Sequence, residues 1–353
     1  MYKDSPAILS VEHLTTVFET ADGPAPVVQD VSFSISRGEM LGLVGESGCG
    51  KTVSALSVLG LVRHPGRVTN GAILFNGIDL RGLDERAMRN IRGNRIAMIF
   101  QEPMTALNPV FSVGAQMTEV LLHHRNMARP EARTRSIEML QHVGIPDPAR
   151  IMDAYPHQLS GGLRQRVLIA MSLLCAPDIL IADEPTTAID TTVQAQILDL
   201  LRRLTHEFGM GVLLITHDLS IVAQTCDRVA VMYASRLVEV ARTSDLFSAP
   251  LHPYSEALLR SVPARHPRRS RLPIIPGQVP RPTAYPAGCH FSTRCELADE
   301  NCAMHEPPLA HAGEERLTAC WHWQRLAAAV FERTTESGLH HSSSAARGPN
   351  PID

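Results

Sequence analysis

Residues 45–52 read Gly-Glu-Ser-Gly-Cys-Gly-Lys-Thr and fit the pattern G-x-x-x-x-G-K-[ST], which is typical of a phosphate-binding loop. Glycines let the backbone N–H groups of such a loop turn inward and surround phosphate oxygens without clashes from Cβ atoms. Lys51 would then reach the β- and γ-phosphates, and Thr52 would be a ligand for Mg²⁺. An unrelated lysine after a glycine turn is the alternative, but the segment lies between an apolar run and a helical pattern, as phosphate binding requires.

Two adjacent carboxylates follow a second apolar run, Ile-Leu-Ile-Ala, at residues 179–182. Asp183 and Glu184 therefore lie at the carboxyl end of a predicted buried strand, where parallel sheets place their ligand sites. Asp183 can hold Mg²⁺ through water, and Glu184 can polarise an attacking water molecule. The pair could instead cap the next helix. Because a phosphate loop lies upstream, we favour the catalytic interpretation.

A third segment, residues 159–166, reads Leu-Ser-Gly-Gly-Leu-Arg-Gln-Arg. Ser-Gly-Gly at the start of a helix makes a second anion-binding helix N-terminus in the same chain. Two such ends serve one γ-phosphate only if they meet across a dimer. For this octapeptide in isolation, a simple helix cap with a glycine turn would be the default interpretation.

The elements that must position these residues read as an α/β fold. An apolar run at residues 39–44 precedes the phosphate loop and is typical of a buried strand, and a helical pattern at residues 53–59 follows it. This order opens a nucleotide-binding α/β fold. Further strands are predicted at residues 7–15, 27–35, 96–100, 179–182 and 212–215, and helices over most of residues 112–176.

In this order the three segments resemble the Walker A, signature and Walker B motifs of the ATPase subunit of an ABC transporter. Gln101 matches the family's Q-loop glutamine, and His217 matches its switch histidine. Residues 188–190, Ala-Ile-Asp, match the D-loop, with isoleucine where leucine is usual. Phe18 falls where the family places an aromatic ring under adenine, although a core phenylalanine is the alternative.

Other segments resemble one branch of that family. Residues 101–109, Gln-Glu-Pro-Met-Thr-Ala-Leu-Asn-Pro, are similar to the Q-loop of the dipeptide, oligopeptide and nickel importers. His-Pro-Tyr at 252–254 and Ile-Pro-Gly at 275–277 are similar to that branch's C-terminal extension. One departure is Cys49, where serine is common. We expect its thiol to be reactive, because a helix N-terminus favours the thiolate.

The resemblance implies a P-loop ABC ATPase of the α/β class. Such an enzyme has a RecA-like core, an antiparallel β subdomain and a helical signature subdomain, here followed by a small cysteine-rich C-terminal extension. It implies ATP and Mg²⁺ as cofactors, ATP hydrolysis, and the catalytic residues Glu184, His217 and Gln101. The implied Mg²⁺ ligands are Thr52, Gln101 and Asp183. The implied ATP contacts are Phe18, Gly45, Ser47, Gly48, Cys49, Gly50, Lys51, Thr52 and Asp183 of one subunit, with Ser160, Gly161, Gly162 and Asp190 of the other.

The resemblance also implies partners and a substrate class. The chain would be the peripheral ATPase subunit of an importer at the cytoplasmic face of the cell membrane, with two transmembrane permeases and an extracellular substrate-binding protein. We expect a heterodimer with a similar but distinct second ATPase. Dipeptides or oligopeptides are the expected substrates, with nickel, opines or oligosaccharides as alternatives.

Four late cysteines need a separate explanation. Their spacing is C-x5-C-x6-C-x17-C, and four thiolates within about 32 residues of a cytosolic protein suggest ligation of zinc or of an iron–sulfur cluster. The spacings are wider than those of zinc ribbons. Some similar importer ATPases bind a [4Fe–4S] cluster with this pattern, so we expect one here, with zinc, or free or disulfide-bonded cysteines, as alternatives. The proposed ligands are Cys289, Cys295, Cys302 and Cys320.

Composition divides the chain into segments. We predict an ABC ATPase domain at residues 1–259, with the helical subdomain at about 102–176. A linker rich in proline and arginine follows at 260–288, then a cysteine-containing module at 289–323. Residues 324–353 are predicted to form a C-terminal helix or a disordered tail.

Charge and length exclude several classes of function. Among 353 residues, 33 Lys and Arg face 36 Asp and Glu, and a net charge of −3 gives no general field for binding nucleic acid. Residues 1–10 contain no apolar segment that reads as a signal peptide. The longest apolar stretch, residues 167–182, is interrupted by Pro177 and Asp178 and is too short to span a bilayer. Any function at a membrane would therefore need a partner.

A soluble ABC-type ATPase outside transport is the remaining alternative. Enzymes of that kind in DNA repair have a long coiled coil between the phosphate loop and the signature. Here residues 53–158 separate the two, and they contain no sustained heptad pattern. A small-molecule P-loop kinase would not need the segment at 159–166.

Overall fold

The computed structural model describes residues 6–101, 106–187, 189–262 and 273–328. Within these ranges the strands form two sheets. The strands are β1 (Ala7–Thr20), β2 (Gly23–Ser36), β3 (Met40–Val44), β4 (Gly66–Phe75), β5 (Ile78–Asp79), β6 (Ile96–Ile99), β7 (Ile179–Asp183), β8 (Gly211–Thr216), β9 (Arg228–Tyr233), β10 (Arg236–Arg242), β11 (Ala310–His311) and β12 (Leu317–Thr318). An antiparallel sheet has the order β2-β1-β4-β5, and the larger sheet has the order β11-β12-β10-β9-β3-β8-β7-β6.

The centre of the larger sheet is parallel. β3 pairs with β8 and β9, and β7 pairs with β6 and β8. Every residue of β3, β7 and β8 is buried, as expected for continuous apolar runs covered on both faces. Val44 lies opposite Thr216, and Asp183 opposite Ile215, so the carboxyl ends of these strands share one edge. The predicted α/β fold with a parallel core and a separate antiparallel sheet is confirmed.

Helices cover the larger sheet, and the helices within residues 113–173 form a separate layer. They are α1 (Lys51–Val58), α2 (Glu85–Ile91), α3 (Val113–Arg125), α4 (Arg129–His142), α5 (Pro148–Asp153), α6 (Gly161–Leu173), α7 (Thr191–Phe208), α8 (Leu219–Thr225), α9 (Thr243–Ser248), α10 (Pro253–Arg260) and α11 (Glu300–Met304). In α3 the buried residues Val113, Met117 and Leu121 recur every four positions and so line one helix face. That face packs against α4, whose Met139 and Leu140 join the same core.

The antiparallel sheet is more extensive than predicted. β1 and β2 run to a tight turn in which Thr20 lies opposite Gly23, so both exceed the predicted segments at 7–15 and 27–35. β4 pairs along β1 and was not predicted, because residues 66–71 are mostly polar and give no clear strand period.

The C-terminal extension is continuous with the larger sheet. β12 pairs with β10, with Glu239 opposite Thr318, and β11 pairs with β12. The extension thus completes one edge of the sheet, and the predicted segment boundaries at 259, 288 and 323 stay predictions. Arginines of the predicted linker at 263–272 and the tail at 329–353 lie outside the described residues. Among the residues that are described, no helix has both the length and the apolar character needed to cross a bilayer.

Candidate functional site

The phosphate-loop segment lies where β3 ends and α1 begins. Gly45 has φ +155°, and a Cβ atom there would lie 2.0 Å from the carbonyl oxygen of Met232 on β9. Only glycine fits at this point, because the neighbouring backbone would have to move for any other residue. Gly50 caps α1 with φ 110°. The strand, loop and helix order predicted for this segment is confirmed.

Lys51 reaches back across the loop and is 6% exposed. Its Nζ donates to the carbonyl oxygens of Gly45 at 2.8 Å and Glu46 at 3.0 Å, and it lies 3.7 Å from Cys49 Sγ. The ammonium group is thus held on the inner side of the loop, where phosphate oxygens would be received.

Asp183 ends β7 and lies beside Thr52. The carboxyl group is buried, and burial raises its pKa, while a hydrogen bond with Thr52 and the charge of Lys51 act in the opposite direction. Asp183 Oδ1 is fully buried and accepts no hydrogen bond from the described residues. A buried carboxylate oxygen without a partner is costly unless something else satisfies it. Together with the neighbouring hydroxyl group, it is a donor set of the kind that Mg²⁺ prefers.

Glu184 is the centre of a hydrogen-bonded group. Its Oε2 accepts from Gln101 Nε2 and from Thr187 Oγ1, each at 3.0 Å, and its Oε1 lies 3.2 Å from His217 Nδ1. Burial raises the pKa of Glu184, but hydrogen bonds from His217, Thr187 and Gln101 outweigh it, so that the pKa lies below its ordinary value. The structure thus brings together the three residues that the sequence assigned to catalysis. Thr187 was missed, although its spacing of three residues from Glu184 could have indicated it.

The residues assigned to the opposite subunit make local contacts in the single chain. Ser160 is the N-cap of α6 and accepts a hydrogen bond from Leu163 N at 3.4 Å. Asp190 caps α7 in the same way, accepting from Val193 N at 3.0 Å. A Cβ atom on Gly162 would lie 2.8 Å from Val193 Cγ1, so the start of α6 packs closely on α7. Their role toward ATP stays a prediction, and Ala188 of the D-loop lies outside the described residues.

Phe18 lies on β1 and is half-buried. Its ring packs over Gly66 of β4, where an added Cβ atom would lie 2.6 Å from the ring. Phe18 therefore lies near the end of β1, between β2 and β4, and its side chain is partly open to solvent. Its adenine contact stays a prediction, as do Ser47 and Gly48 as ATP contacts. Of the importer Q-loop segment, residues 102–105 lie outside the described residues.

The expected reactivity of Cys49 is wrong. The residue is 1% exposed, and burial raises the pKa of its thiol despite the nearby Lys51. Desolvation therefore outweighs the helix N-terminus, and the thiol stays protonated and shielded.

The expected [4Fe–4S] cluster on Cys289, Cys295, Cys302 and Cys320 is also wrong. The four cysteines are free thiols that line one narrow cavity of about 10 Å³, which is about the space of one water molecule. Burial raises the pKa of Cys289 to about 11 and that of Cys320 to about 12. Within the described residues, the potential ligand atoms that lie within 4.8 Å of one another belong to Asp299, Cys302 and His322, which include one of the four cysteines. Three of the four cysteines that were expected to hold the cluster are absent from this group.

Comparison with known proteins agrees with this geometry. The family described as "ABC transporter" matches residues 28–187, and the family described as "Oligopeptide/dipeptide transporter, C-terminal region" matches residues 238–302. A dimeric structure of the ATP-binding cassette MJ0796, in a post-hydrolysis state with ADP and Pi, is 26% identical with a TM-score of 0.60, and the alignment covers 67% of this chain and 98% of that one.

Two curated relatives extend the likeness over most of the chain. The oligopeptide transport ATP-binding protein AppD of Bacillus subtilis (strain 168) is 48% identical over 315 residues, which is 89% of this chain and 96% of the relative. The dipeptide transport ATP-binding protein DppD of Escherichia coli (strain K12) is 46% identical over 314 residues, covering the same shares.

Fold and site together define an ABC-type ATPase that binds and hydrolyses ATP. More narrowly, the chain belongs to the ATP-binding proteins of the oligopeptide and dipeptide ABC transporters. An ATPase of this family works with transmembrane permease partners, and its place is that of a peripheral, membrane-associated subunit.

The expected heterodimer is corrected by the same comparisons. The MJ0796 structure is a dimer of that one cassette. A homodimeric ATPase is the typical arrangement in this family.

Proposed function

We propose that this chain powers the import of dipeptides or oligopeptides by hydrolysing ATP at the site around Glu184. The proposal of ATP hydrolysis rests on the placement of Glu184 between Gln101 and His217. This group lies next to Asp183 and the phosphate loop. The proposed substrate class rests on the match of residues 238–302 to the C-terminal region of oligopeptide and dipeptide transporters.

Lys51 and the N-terminus of α1 would bind the phosphates. Thr52 and Asp183, with Gln101, would hold Mg²⁺, and the unpaired Oδ1 of Asp183 supports that assignment. Bound Mg²⁺ would neutralise negative charge that develops on the β- and γ-phosphates. The backbone N–H groups at the start of α1 add a fixed positive dipole toward the same phosphates.

Glu184 would be the base that orients and deprotonates the attacking water. Its lowered pKa keeps the carboxylate ionised at neutral pH, which a proton acceptor requires. The water oxygen forms a bond to the γ-phosphorus as the bond to the β,γ-bridging oxygen breaks, and the water's proton passes to Glu184. Gln101 and His217 hold the carboxylate in place and would contact the γ-phosphate from either side.

Two copies of the chain would close head to tail around two ATP molecules. Ser160, Gly161 and Gly162 of one copy, with Asp190, would face the ATP bound to the phosphate loop of the other. The exposed start of α6 supports this proposal, because Ser160 and Gly161 lie at the surface and the positive end of a helix dipole attracts an anion.

Closure of the pair would pull the permeases, and hydrolysis would release them. The ATPase would act at the cytoplasmic face of the membrane, while an extracellular binding protein delivers the peptide. We further propose that the ATPase fold comprises residues 1–259, with the 289–323 segment appended to it.

Affinity purification of the chain from its host's membranes in mild detergent, followed by mass spectrometry, tests this function. Co-purification of two multi-spanning permeases and a binding protein is the expected result, and the binding protein can then be screened against dipeptides, oligopeptides, nickel, opines and oligosaccharides. Recovery of soluble partners alone would contradict the transport function. Binding of a non-peptide ligand alone would contradict the substrate class.

A further inference from the structure

A residue of the C-terminal extension binds directly to the phosphate loop. Glu46, the second residue of the loop, accepts a two-pronged hydrogen bond from Arg294: Nη1 lies 2.7 Å from Oε2, and Nη2 lies 3.1 Å from Oε1. The backbone N–H of Glu46 donates to Tyr254 Oη at 2.9 Å, from α10. Two side chains from outside the loop thus hold this one residue by both its backbone and its carboxylate.

Arg294 is itself firmly placed. Its side chain is 3% exposed, Nε donates to the carbonyl oxygen of Pro276 at 2.8 Å, and Nη1 also lies 3.3 Å from Tyr233 Oη. Its guanidinium lies over the rings of Tyr233 and Phe291, at 5.6 and 5.9 Å from their centroids. Burial acts to lower the pKa of Arg294, but hydrogen bonds to Glu46 and Tyr233 outweigh it and raise that pKa. The guanidinium is therefore a fixed, permanently charged fork.

The contact has a consequence for the loop as a whole. Gly45 already lies against the Met232 carbonyl, so fixing Glu46 immobilises the first turn of the loop on the sheet. A loop that must converge several N–H groups on phosphate binds more tightly when its conformation is set in advance. A bidentate, charge-assisted pair with low exposure is well suited to set it.

We propose that Arg294 is a positioning residue for ATP: through Glu46, and together with Tyr254, it holds the phosphate loop in its binding conformation. The C-terminal extension thereby tunes the affinity of the ATPase for nucleotide. This inference rests on ATP binding at the phosphate loop, as in the proposed function.

Glu46→Gln is the decisive variant, because Glu46 is partly exposed and glutamine has the same shape. Removing the carboxylate has two opposite effects on ATP: it frees the loop, which weakens binding, and it removes a negative charge near the phosphates, which strengthens binding. If Arg294 acts by positioning, the first effect dominates. We expect the Kd for a non-hydrolysable ATP analogue with Mg²⁺ to rise on the order of 10-fold, measured by calorimetry on the full chain.

Arg294→Gln and the double variant that combines it with Glu46→Gln complete a double-mutant cycle. We expect Arg294→Gln to raise the Kd and the KM for ATP with kcat at saturating ATP changed less than about 2-fold. We expect the double variant to bind ATP about as weakly as the weaker single variant. Arg294→Lys keeps the charge but loses the fork, so we expect it to recover part of the affinity. Glu315→Gln is the matched control, since Glu315 makes another ion pair between extension and core, with Arg242, away from the loop.

The outcomes separate the alternatives. Unchanged or tighter ATP binding by Glu46→Gln would overturn the inference, and so would a double variant that restores the affinity lost in Arg294→Gln, because both results indicate charge neutralisation instead of positioning. An equal loss in Glu315→Gln would assign the effect to general loosening of the extension, which also overturns it. Failure of the wild-type chain to bind ATP would count against the nucleotide function itself. If Arg294→Gln does not fold, Glu46→Gln still decides.

Discussion

At the scale of single residues, Glu184 combines an unusual backbone with a dense set of partners. It has φ 45°, in the left-handed region that residues other than glycine rarely adopt. The strained backbone persists because its N–H donates to the Ile215 carbonyl at 2.9 Å and its carboxylate has three side-chain neighbours. Such strain concentrates where a side chain must be aimed, which agrees with the role of base proposed above.

Glu184→Gln is expected to lower the rate of ATP hydrolysis by about 10²- to 10⁴-fold, because glutamine cannot accept the proton of the attacking water. ATP affinity should be nearly unchanged, since Lys51 and the loop are untouched. The measurement is phosphate release at saturating ATP, together with calorimetric titration. Glu207→Gln is the control, an exposed glutamate of α7 that pairs with His142. Hydrolysis by Glu184→Gln at the wild-type rate would refute the assignment of the base.

The pH dependence of ATP hydrolysis tests how hydrogen bonds set the pKa of the Glu184 carboxylate. The pKa of Glu184 lies below its ordinary value because hydrogen bonds stabilise the ionised form. The rate should therefore fall at acid pH, as the carboxylate becomes protonated. Thr187→Val removes one donor without a change of shape, so the pKa should rise and the acid limb of kcat against pH should move up by about half a unit to one unit. An acid limb that stays in place, in protein that circular dichroism shows to be folded, would exclude this contribution.

At the scale of elements, the apolar strands were predictable and the polar strand was not. β3, β7 and β8 are buried on both faces, so their sequences are continuous apolar runs that read as strands without further information. β4 is held by its pairing with β1, and its first residues are largely polar or exposed. Its stability comes from a partner strand distant in sequence, which local periodicity does not reveal.

Alanine substitutions at Gly161 and Gly162, the two glycines at the start of α6, should have different effects on the free energy of unfolding. A Cβ atom on Gly162 would lie 2.8 Å from Val193 Cγ1, whereas one on Gly161 would meet no atom within 4 Å. Gly162→Ala should therefore push α6 away from α7 and lower the free energy of unfolding by about 1–3 kcal/mol. Gly161→Ala should be neutral or slightly stabilising, because alanine favours a helix. Urea unfolding of both variants measures this difference, and equal stabilities would mean that the α6–α7 contact is not tight.

At the scale of the whole molecule, functional residues that lie within sequence motifs were predictable, whereas residues brought together only by the fold were not. Asp183 and Glu184 were predictable because they follow an apolar strand of a parallel sheet, and such strands end at one edge. Gln101 and His217 were assigned through the resemblance to the ABC transporter family, whose motifs they match. Arg294 pairs with a residue 248 positions earlier, and no local pattern indicates that contact. The cysteine spacing indicated a metal site formed by four thiols, but among the described residues the close group of potential ligand atoms includes one of the four, Cys302.

An ion pair between Arg316 and Glu239 joins the C-terminal extension to the ATPase core. Glu239 on β10 is 0% exposed, and Arg316 donates to it at 3.1 Å next to the β10–β12 pairing. Removing the cation leaves a buried carboxylate without its charged partner, although its bonds from Leu251 N and His252 N remain. Arg316→Met should therefore lower the free energy of unfolding by about 3 kcal/mol.

The loss should occur in a single transition, because β12 pairs with β10 within the larger sheet and its Leu317 packs against the core of the ATPase. Arg242→Met is the matched control: Arg242 pairs with Glu315 where both side chains are largely exposed, so its loss should change stability by less than about 1 kcal/mol. Urea unfolding followed by circular dichroism measures both variants. Two separate transitions in Arg316→Met, with the main one unchanged, would instead establish the extension as an independent unit whose attachment is dispensable to the core. In that case Arg294 would be tied to the ATPase core, within the described residues, only by its contacts with Glu46 and Tyr233.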